Sequence, residues 1–524
     1  LGSKDNLLGL GFDSVVSLDN LYGIEYDDFA SQIARLSLWL AEHQMNVLFE
    51  QELGATTPML PLKDSGHIIH GNSLRIDWNE VCPNNGSDEI YIVGNPPFKG
   101  RKNRTEEQTR DMEVTFKEFK NFKNLDYVAS WFWKGSQYIT NSKAELALVS
   151  TNSIAQGLQV STLFPDIFKL GIYIHFAYQT FAWSNNAKHN AAVHVVIIGL
   201  SAQDRRNKKI FRFIDKVWHT EKTTSISPYL ITGSPIAVLP RTNSFFNVSQ
   251  IIDGSNYTKT EPLIMNNDQK DSILSKEPAL EKWIRPLLGS REFLNSIQRW
   301  CFWLVNSTEE DIKNSKILND LVDQVKIDRQ NSKKKDTREK AVLIPHLFPE
   351  IRQPTNGNYL LIPKVSSERR SYIPIGFFDS NVIATNKVSI IPNGTPYDFG
   401  VVTSLAHNDW MRLVAGRLKS DYNYSGTIVY NTFPFPDATE AQRENIEQLA
   451  EEILLARASN AGMTLAELYD PDKMPEDLKQ AHSTLDDAVD KLYRPQGFTN
   501  TEERLAHLLA RYEQLIEAEK QSKA

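Results

Sequence analysis

The sequence is poor in the features that direct a protein into or across a membrane. Its 524 residues include only two cysteines, Cys82 and Cys301, too few for a disulfide framework or a structural zinc site. No apolar stretch approaches the roughly 20 residues that span a bilayer. The first residues, Leu1–Asp5, lack the basic and apolar regions of a signal peptide. We therefore expect a protein of a reducing compartment, the cytoplasm.

An initiator methionine and a strong positive charge are also absent. The chain begins at Leu1, so we expect it to start partway through a longer protein of two or three domains. The net charge of −7 hides an asymmetry. Residues 437–524 hold about 19 acidic and 10 basic side chains, whereas residues 321–370 hold about 11 basic and 6 acidic ones. A basic central segment permits contact with nucleic acid.

What the first 230 residues do contain is an alternation of short apolar strands with helices. Strands are predicted at 21–25, 68–70, 90–93, 146–150, 172–178 and 192–200, and helices at 29–41 and 127–138. This order predicts a mostly parallel, doubly wound α/β sheet, whose ligands bind beyond the carboxyl ends of the strands. Glu25, Asn72, Asn95 and Thr151 follow such ends.

The remainder of the chain has a different pattern. From about residue 231, short apolar runs are separated by Pro and Gly, which predicts a mixed α/β domain with irregular connections. Residues 441–456 and 501–520 alternate charged side chains with Leu and Ile, the pattern of amphipathic helices.

The tetrapeptide Asn95-Pro96-Pro97-Phe98 is the most informative motif. Asn95 offers a side-chain carbonyl oxygen, and the two prolines stiffen the turn and leave a backbone carbonyl free. The ring of Phe98 provides a face on which a planar base can stack. Two hydrogen-bond acceptors and an aromatic ring could together bind the exocyclic amino group and the face of an adenine that has left the duplex stack. The alternative is an ordinary strand followed by a Pro-Pro turn.

Three further groups of residues are candidates for binding. Glu25 suits the ribose hydroxyls of a nucleoside cofactor, and Asn72 with Ser73 would lie near its adenine ring. Phe181 and Trp183 are candidates for a second aromatic wall around the target base. The alternatives are a solvated loop acid or helix N-cap, an Asn-Ser turn, and ordinary core aromatics.

Basic side chains are candidates for DNA contact, because Arg and Lys neutralise phosphates and Arg and Gln read base edges. The candidate contacts are Lys99, Arg101, Lys102, Arg299, Arg352, Arg369, Arg370, Arg417 and Lys419, with Gln298, Gln353 and Arg412 as further readers. For the run after Phe98, a solvated charged loop is the alternative. Histidines such as His189 and His407 lack the companions of a metal site, so we expect no metal.

The order of these motifs resembles the γ-class N6-adenine DNA methyltransferases, and more closely the MmeI-type restriction–modification family. The likeness is carried by Tyr22-Gly23-Ile24-Glu25, Gly71-Asn72-Ser73-Leu74, Gly94-Asn95-Pro96-Pro97-Phe98, Tyr127-Val128-Ala129-Ser130-Trp131, Ser150-Thr151-Asn152-Ser153, Phe181-Ala182-Trp183-Ser184, Val365-Ser366-Ser367-Glu368-Arg369-Arg370, Gly416-Arg417-Leu418-Lys419-Ser420, Tyr430-Asn431-Thr432-Phe433-Pro434 and Leu468-Tyr469-Asp470-Pro471.

The resemblance implies a Rossmann-like class I methyltransferase sheet at residues 1–230, a mixed α/β target-recognition domain at 231–436 and a helical C-terminal segment at 437–524. It implies that Asn95, Pro96, Pro97 and Phe98 form the catalytic loop. It also implies that Glu25, Asn72, Ser73 and Asn95 contact S-adenosylmethionine. The implied partner is double-stranded DNA in a bacterial or archaeal cytoplasm, with the nuclease upstream in the same polypeptide.

One departure from the family pattern concerns the methyl donor. The expected Asp-Pro-x-x-Gly-x-Gly type of loop, some tens of residues before Tyr22, is absent, and Gly9-Leu10-Gly11 has neither the acid nor the preceding strand. We therefore expect the methyltransferase domain to lack its first cofactor-binding strand and loop. Three alternatives stay open: methylation of glutamine in protein, methylation of cytosine at N4, and sequence-specific DNA binding without catalysis.

Overall fold

The computed structural model of the chain describes residues 17–53, 66–117, 119, 121–183, 193–418 and 420–523. The chain forms two compact units, one of residues 1–154 and 162–226, the other of residues 155–161 and 227–524. Within the described residues, no helix combines the length and the apolar character that crossing a membrane requires.

The first unit contains strands in parallel and antiparallel pairs, with helices between several of them. Its strands are β1 (Tyr22–Glu25), β2 (His67–His70), β3 (Tyr91–Gly94), β4 (Glu145–Thr151), β5 (Tyr173–Trp183), β6 (Val193–Ser201), β7 (Lys208–Ile214) and β8 (Val217–Thr223). Its helices are α1 (Asp28–Leu53), α2 (Trp78–Val81), α3 (Glu106–Thr115), α4 (Ala129–Ile139) and α5 (Gly157–Lys169), the last of which begins in the residues assigned to the second unit.

Strands β1 and β2 form a parallel two-stranded sheet and are connected through α1. Their register pairs Glu25 with His70, so both carboxyl ends lie side by side. Four apolar side chains of α1 recur at helical spacing and are exposed, Phe29 to 74%. We call them the α1 stripe: Phe29, Ile33, Leu36 and Leu40.

The other six strands form one sheet in the order β3-β4-β6-β5-β7-β8. The pairs β3–β4 and β5–β7 are parallel, and the other three are antiparallel. The sheet is thus less parallel than the sequence predicts. One reason is the two-residue turn at Asp215 and Lys216, whose positive φ angles of 50° and 65° suit a tight hairpin between β7 and β8.

The burial of side chains differs sharply along this sheet. Leu146 and Leu148 of β4 and Ile198 of β6 are at most 2% exposed. By contrast, β3 is an edge strand among the described residues, and Tyr91 and Val93, which share one face, are 68% and 80% exposed. Strand β3 therefore pairs with the buried strand β4 on one side, and its other side has no strand partner among the described residues.

The predicted elements of the first unit are confirmed to within a few residues, except that α1 continues twelve residues past the predicted end at 41 to Leu53. Helix α4 begins at Ala129 and ends at Ile139, and its buried face includes Phe132. Strand β4 extends the predicted strand by one residue at each end. These elements were predictable because each has a continuous apolar face.

The second unit combines small sheets with helices. Its strands are β9 (Ile252–Asp253), β10 (Ile264–Met265), β11 (Ile284–Leu288), β12 (Trp300–Phe302), β13 (Asn358–Pro363), β14 (Val365–Ser366), β15 (Gly376–Asp379), β16 (Ile383–Ala384), β17 (Val388–Pro392), β18 (Gly416–Leu418) and β19 (Asp421–Asn423). They pair in the orders β10-β12-β11-β16, β15-β13-β17-β9 and β14-β19-β18. The central strand β13 packs Tyr359 and Leu361 into a buried apolar cluster.

Helices surround these sheets and form the C-terminal end of the second unit. They are α6 (Asn267–Lys276), α7 (Ser290–Leu294), α8 (Glu309–Lys313), α9 (Lys316–Gln330), α10 (Lys335–Glu339), α11 (Pro396–Thr403), α12 (Leu405–Val414), α13 (Glu440–Ser459), α14 (Leu465–Leu468), α15 (Glu476–Tyr493) and α16 (Thr501–Lys523). Buried Arg504 of α16 pairs with Asp490 of α15 at 2.7 Å and with Asp409 of α12 at 2.6 Å. This network joins three helices, and the predicted C-terminal helices are confirmed.

Candidate active site

The loop Asn95–Phe98 leaves the sheet at the carboxyl end of β3, next to β4. The parallel register pairs Gly94 with Leu148, so β4 continues three residues beyond the last pair to Thr151. Asn95 is exposed, Pro96 is buried and Phe98 is half-buried. The loop therefore presents a side-chain amide to solvent from a turn that is anchored by one of its prolines.

The chain that follows this loop contacts residues 121–127, a segment that we call the shelf. The backbone N–H of Tyr127 donates to the carbonyl of Lys99 at 2.9 Å. The guanidinium of Arg104 donates to the carbonyl of Lys123 at 2.8 Å, and burial lowers the pKa of Arg104. These contacts hold the end of the loop against a second segment of the first unit.

The basic residues of this loop fall into two groups. Lys99 and Lys102 are exposed, whereas Arg101, also exposed, donates to Oδ1 of Asn124 on the shelf at 2.9 Å. The two lysines are therefore available to an incoming phosphate, and Arg101 would exchange a neutral partner for it.

The carboxyl ends of β1 and β2 place Glu25 beside the loop that begins at Gly71. Glu25 is half-buried, and its Oε1 accepts a hydrogen bond from the backbone N–H of Asp27 at 3.2 Å. The carbonyl of Glu25 accepts from the N–H of Gly71 at 2.8 Å. Gly71 has φ +155°, and a Cβ there would lie 2.7 Å from a methyl of Ile76, so a glycine suits this turn.

The side-chain amide of Asn72 forms hydrogen bonds with other residues of the chain. Its Nδ2 donates to Asp111 at 3.0 Å and its Oδ1 accepts from the N–H of Leu74 at 3.0 Å. The hydroxyl of Ser73 accepts from the indole N–H of Trp131 at 2.8 Å. These side chains shape the loop, and only its outer surface is left for a ligand.

Asp111 on α3 is a residue that the sequence reasoning missed. Its buried carboxylate accepts hydrogen bonds from Asn72, from Nε of Arg75 at 2.8 Å and from the hydroxyl of Tyr127 at 2.8 Å. Burial and the bond to Asp111 raise the pKa of Tyr127. Asp111 thus joins the loop after β2 to the shelf, and no sequence motif marked it.

A cleft of about 450 Å³ lies beside this network. Its walls are Leu74, Arg75, Glu107, Arg110, Asp111 and Val114. Leu74 and Val114 are apolar and the other four side chains are charged, so the cleft is more polar than most small-molecule sites.

Phe181 and Trp183 lie near the end of β5, at the same sheet edge as the end of β4. The shared partner β6 shows this, since its Val195 pairs with both Thr151 and Phe181. Trp183 is 39% exposed, so it is not an ordinary core aromatic. The rings of Phe181 and Trp218 of β8 lie 5.2 Å apart, which adds an aromatic residue that the sequence reasoning missed.

The basic candidates of the second unit are mostly paired with carboxylates. Arg299 pairs with Glu292 at 3.1 Å, and Arg417 pairs with Glu368 at 3.2 Å while stacking on the ring of Tyr422 at 3.9 Å. Three others follow the same pattern: Arg352 with Glu350, Arg369 with Asp472, and Arg412 with Asp409 at 2.6 Å. Binding of phosphate by these residues would exchange one anionic partner for another.

Three further candidates differ from that pattern. Gln353 is buried, and its amide bonds to the backbone at Ser380, Val382 and Ala384. It is therefore unavailable to a base, contrary to the sequence-based hypothesis. Burial lowers the pKa of Arg370. The side-chain oxygen of Gln298 accepts a hydrogen bond from Asn267 at 2.6 Å. Lys419 and Gly9-Leu10-Gly11 lie outside the described residues.

The first unit thus combines an α/β sheet with the loop Asn95–Phe98 at the carboxyl end of one of its strands. The class that these features define is that of proteins with a DNA-methyltransferase domain, since residues 4–212 match the family described as MmeI, DNA-methyltransferase domain. Residues 232–437 match MmeI, target recognition domain, and residues 438–518 match MmeI, C-terminal domain.

Within that class, the chain belongs to the MmeI family. It is 41% identical over 504 residues to DNA methyltransferase A of Bacillus subtilis (strain 168), covering 96% of this chain and 56% of that protein. It matches the solved structure of the type IIL restriction–modification enzyme MmeI in complex with DNA with a TM-score of 0.82 and 38% identity, covering 98% of this chain and 69% of that one. The chain thus spans little more than half the length of its curated relative.

Proposed function

We propose that the protein methylates the N6 amino group of a flipped adenine in a specific duplex DNA sequence, with S-adenosylmethionine as donor. It would do so as the modification and target-recognition part of a restriction–modification protein. The observation that carries the proposal is the exposed amide of Asn95 beside buried Pro96 at the carboxyl end of β3, in a domain that matches a DNA methyltransferase family.

The loop would hold the amino group through two acceptors. Oδ1 of Asn95 and the backbone carbonyl of Pro96 accept the two N6 hydrogens, which orients the nitrogen lone pair toward the donor. Because these oxygens stabilise positive charge as it develops on nitrogen, no base need remove a proton before attack. Phe98 stacks on the extruded base, with Phe181 and Trp183 as the opposite wall, and replaces part of the stacking lost from the duplex.

The residues of the first unit fit the nucleoside half of S-adenosylmethionine. Glu25 keeps carboxylate acceptor capacity beyond its bond to Asp27 and would receive the ribose hydroxyls. The cleft beside Asn72 and Ser73 would offer Leu74 and Val114 as apolar walls for the adenine, and Asn95 would contact the donor. When bound, the cofactor would supply an electrophilic methyl group: its S–CH3 bond breaks as the N–CH3 bond forms, the demethylated thioether is the leaving group, and the nitrogen then loses one proton to solvent.

DNA contact would involve both units. Exposed Lys99 and Lys102, with Arg101, follow the proposed base-holding loop directly and would contact phosphates. In the second unit, Arg299, Arg352, Arg369, Arg370, Arg417 and Lys419 are our candidates for backbone or base contact, in a domain that matches a target-recognition family.

Transfer of labelled methyl groups to duplex DNA by the full-length protein tests the proposal. Nucleosides from the product are then separated to identify the methylated base. We expect label on N6-methyladenine, a loss of about 10²- to 10³-fold in rate for Asn95→Ala through the loss of one transition-state acceptor, and a change in DNA affinity below about threefold. Asn319→Ala, an exposed asparagine on α9, is the matched control.

The same experiment separates the alternatives. Label on N4-methylcytosine would show that cytosine, not adenine, is the target base. Label on a glutamine of a protein substrate would show that the substrate is not DNA. Specific DNA binding without transfer by the full-length protein would support a non-catalytic DNA-binding function instead.

A further inference from the structure

Asp126 connects the loop that carries Asn95 to the end of the neighbouring strand. Its Oδ2 accepts a hydrogen bond from the hydroxyl of Ser153 at 2.7 Å. That hydroxyl lies 2.7 Å from the hydroxyl of Thr151, the last residue of β4. On the other side, a methyl group at the Cα of Gly100 would lie only 3.5 Å from Oδ1 of Asp126. The carboxylate thus lies between the end of the loop and the turn after β4.

The backbone around Asp126 is fixed from both directions. The carbonyl of Asp126 accepts from the N–H of Ala129 at 3.0 Å, at the start of α4. The next residue, Tyr127, donates its N–H to Lys99, and Tyr127, Val128 and Ala129 are at most 4% exposed. Asp126 is therefore held by the buried core while its carboxylate faces the loop.

Burial disfavours the charged form of this carboxylate unless hydrogen bonds or nearby positive charges stabilise it. Burial raises the pKa of Asp126, while the Ser153 hydroxyl and the charge of Arg104 act in the opposite direction. If a partly desolvated carboxylate made no compensating contact, replacing it with a neutral side chain would cost little stability. Asp126 does make such contacts, with Ser153 and beside Gly100, and they indicate a positioning role.

We propose that Asp126 is a positioning residue for the base-holding loop, fixing the Lys99–Gly100 end of Asn95–Gly100 against the turn Thr151–Ser153. The inference rests on the proposed function. The residue acts through the loop: with this end fixed, Oδ1 of Asn95 and the Pro96 carbonyl keep the separation that two hydrogens of one amino group require. A misplacement of about 1 Å of such acceptors costs on the order of 100-fold in rate.

Three substitutions in the full-length protein test this role. Asp126→Ala removes the acceptor, and we expect kcat for methyl transfer to fall about 10- to 100-fold, with KM for DNA within about twofold of wild type. Asp126→Asn keeps an oxygen that can accept from Ser153, so it should retain at least about a third of kcat. Ser153→Ala removes the same bond from the other side, and the double variant with Asp126→Ala should be no slower than Asp126→Ala alone. Asp166→Ala on α5, whose side chain is 37% exposed, is the matched control.

A readout that does not depend on methyl transfer accompanies the kinetics. Hydrogen exchange at the amides of Asn95, Phe98, Lys99 and Gly100 should quicken at least about fivefold in Asp126→Ala and Ser153→Ala, and stay near wild type in Asp126→Asn. Unchanged exchange and kcat in Asp126→Ala, or equal losses in Asp126→Ala and Asp126→Asn, would overturn the inference. If Asp126→Ala does not fold, Ser153→Ala decides. If the wild-type protein transfers no methyl group to DNA, the proposed function fails, while the exchange data still decide the role of Asp126.

Discussion

The first unit has two sides that differ in packing, although the sequence predicts short apolar strands and helices in both. We name the two sides after the proposed function. The target-base side comprises β3, β4, the loop Asn95–Phe98 and the shelf; the donor side comprises β1, α1, β2 and the loop from Gly71 to Arg75. On the target-base side, Leu146 and Leu148 are buried and the shelf binds the loop at Lys99. On the donor side, the α1 stripe is exposed, and β1 pairs only with β2 among the described residues.

Under the proposed function, the difference separates the groups that would hold the base from those that would hold the methyl donor. Groups that would hold the base are anchored by buried core, whereas groups that would hold the donor stand on a two-stranded sheet, which is marginal alone in water. Asp111 connects the two sides, since it bonds both Asn72 and Tyr127. Substitutions on each side, and at this connection, test whether the two sides differ in stability.

Among the polar and titratable side chains, the largest effect on stability is expected at the connection, for Asp111→Ala. The change leaves the amide of Asn72 and the hydroxyl of Tyr127 without their acceptor, and it removes one of the two carboxylate partners of Arg75, which keeps Glu107. Unpaired buried polar groups cost about 1–3 kcal/mol each, so we expect the free energy of unfolding of the first unit to fall by about 3 kcal/mol. Urea denaturation followed by tryptophan fluorescence measures it. Gln44→Ala, at an exposed position on α1, is the comparison; a loss below about 1 kcal/mol for Asp111→Ala would mean that the two sides are independent.

A smaller effect is expected on the packed sheet as the pH falls. Burial, and then the charges of Arg205 and Lys208, lower the pKa of His175 on β5 to about 4. It is therefore neutral at pH 7, and its 3.8 Å contact with Glu145 is not an ion pair there. Because the folded pKa lies below the unfolded value of about 6.5, the stability is full above pH 6.5 and is lost as the pH falls toward 4. Between pH 7 and 5 the loss should be about 1–2 kcal/mol.

The variant His175→Gln isolates this contribution, since glutamine does not titrate. Its unfolding free energy, measured by urea denaturation, should change less between pH 7 and 5 than that of the wild type. His43→Gln on the donor side, where the side chain is exposed, should leave the wild-type slope unchanged. Equal slopes for the wild type and His175→Gln would contradict the buried, neutral state of His175.

How far the sequence predicts this site depends on the distance over which each residue acts. Glu25, Asn95 and Thr151 were placed correctly at strand ends because the apolar runs before them mark those ends locally. Asp111 and Asp126 were missed, since their partners Asn72 and Ser153 lie 39 and 27 residues away and no local pattern records such contacts. The mixed direction of the six strands was also missed, because pairing depends on tertiary packing as well as on the apolar pattern. Gln353 was assigned by residue type alone, and its burial removes it from the DNA candidates.

The smallest effect is expected on the α1 stripe, where we predict near-neutral substitutions. Phe29→Gln and Leu36→Gln replace exposed apolar side chains on the donor side with a good helix former. The free energy of unfolding should change by less than about 0.5 kcal/mol, as for surface substitutions generally. Leu148→Ala, at a position only 2% exposed on the target-base side, is the matched contrast and should cost about 2–5 kcal/mol. A cost above about 1.5 kcal/mol for Phe29→Gln would show that the stripe is covered in solution, and the two sides would then differ in what packs on them rather than in how completely they pack.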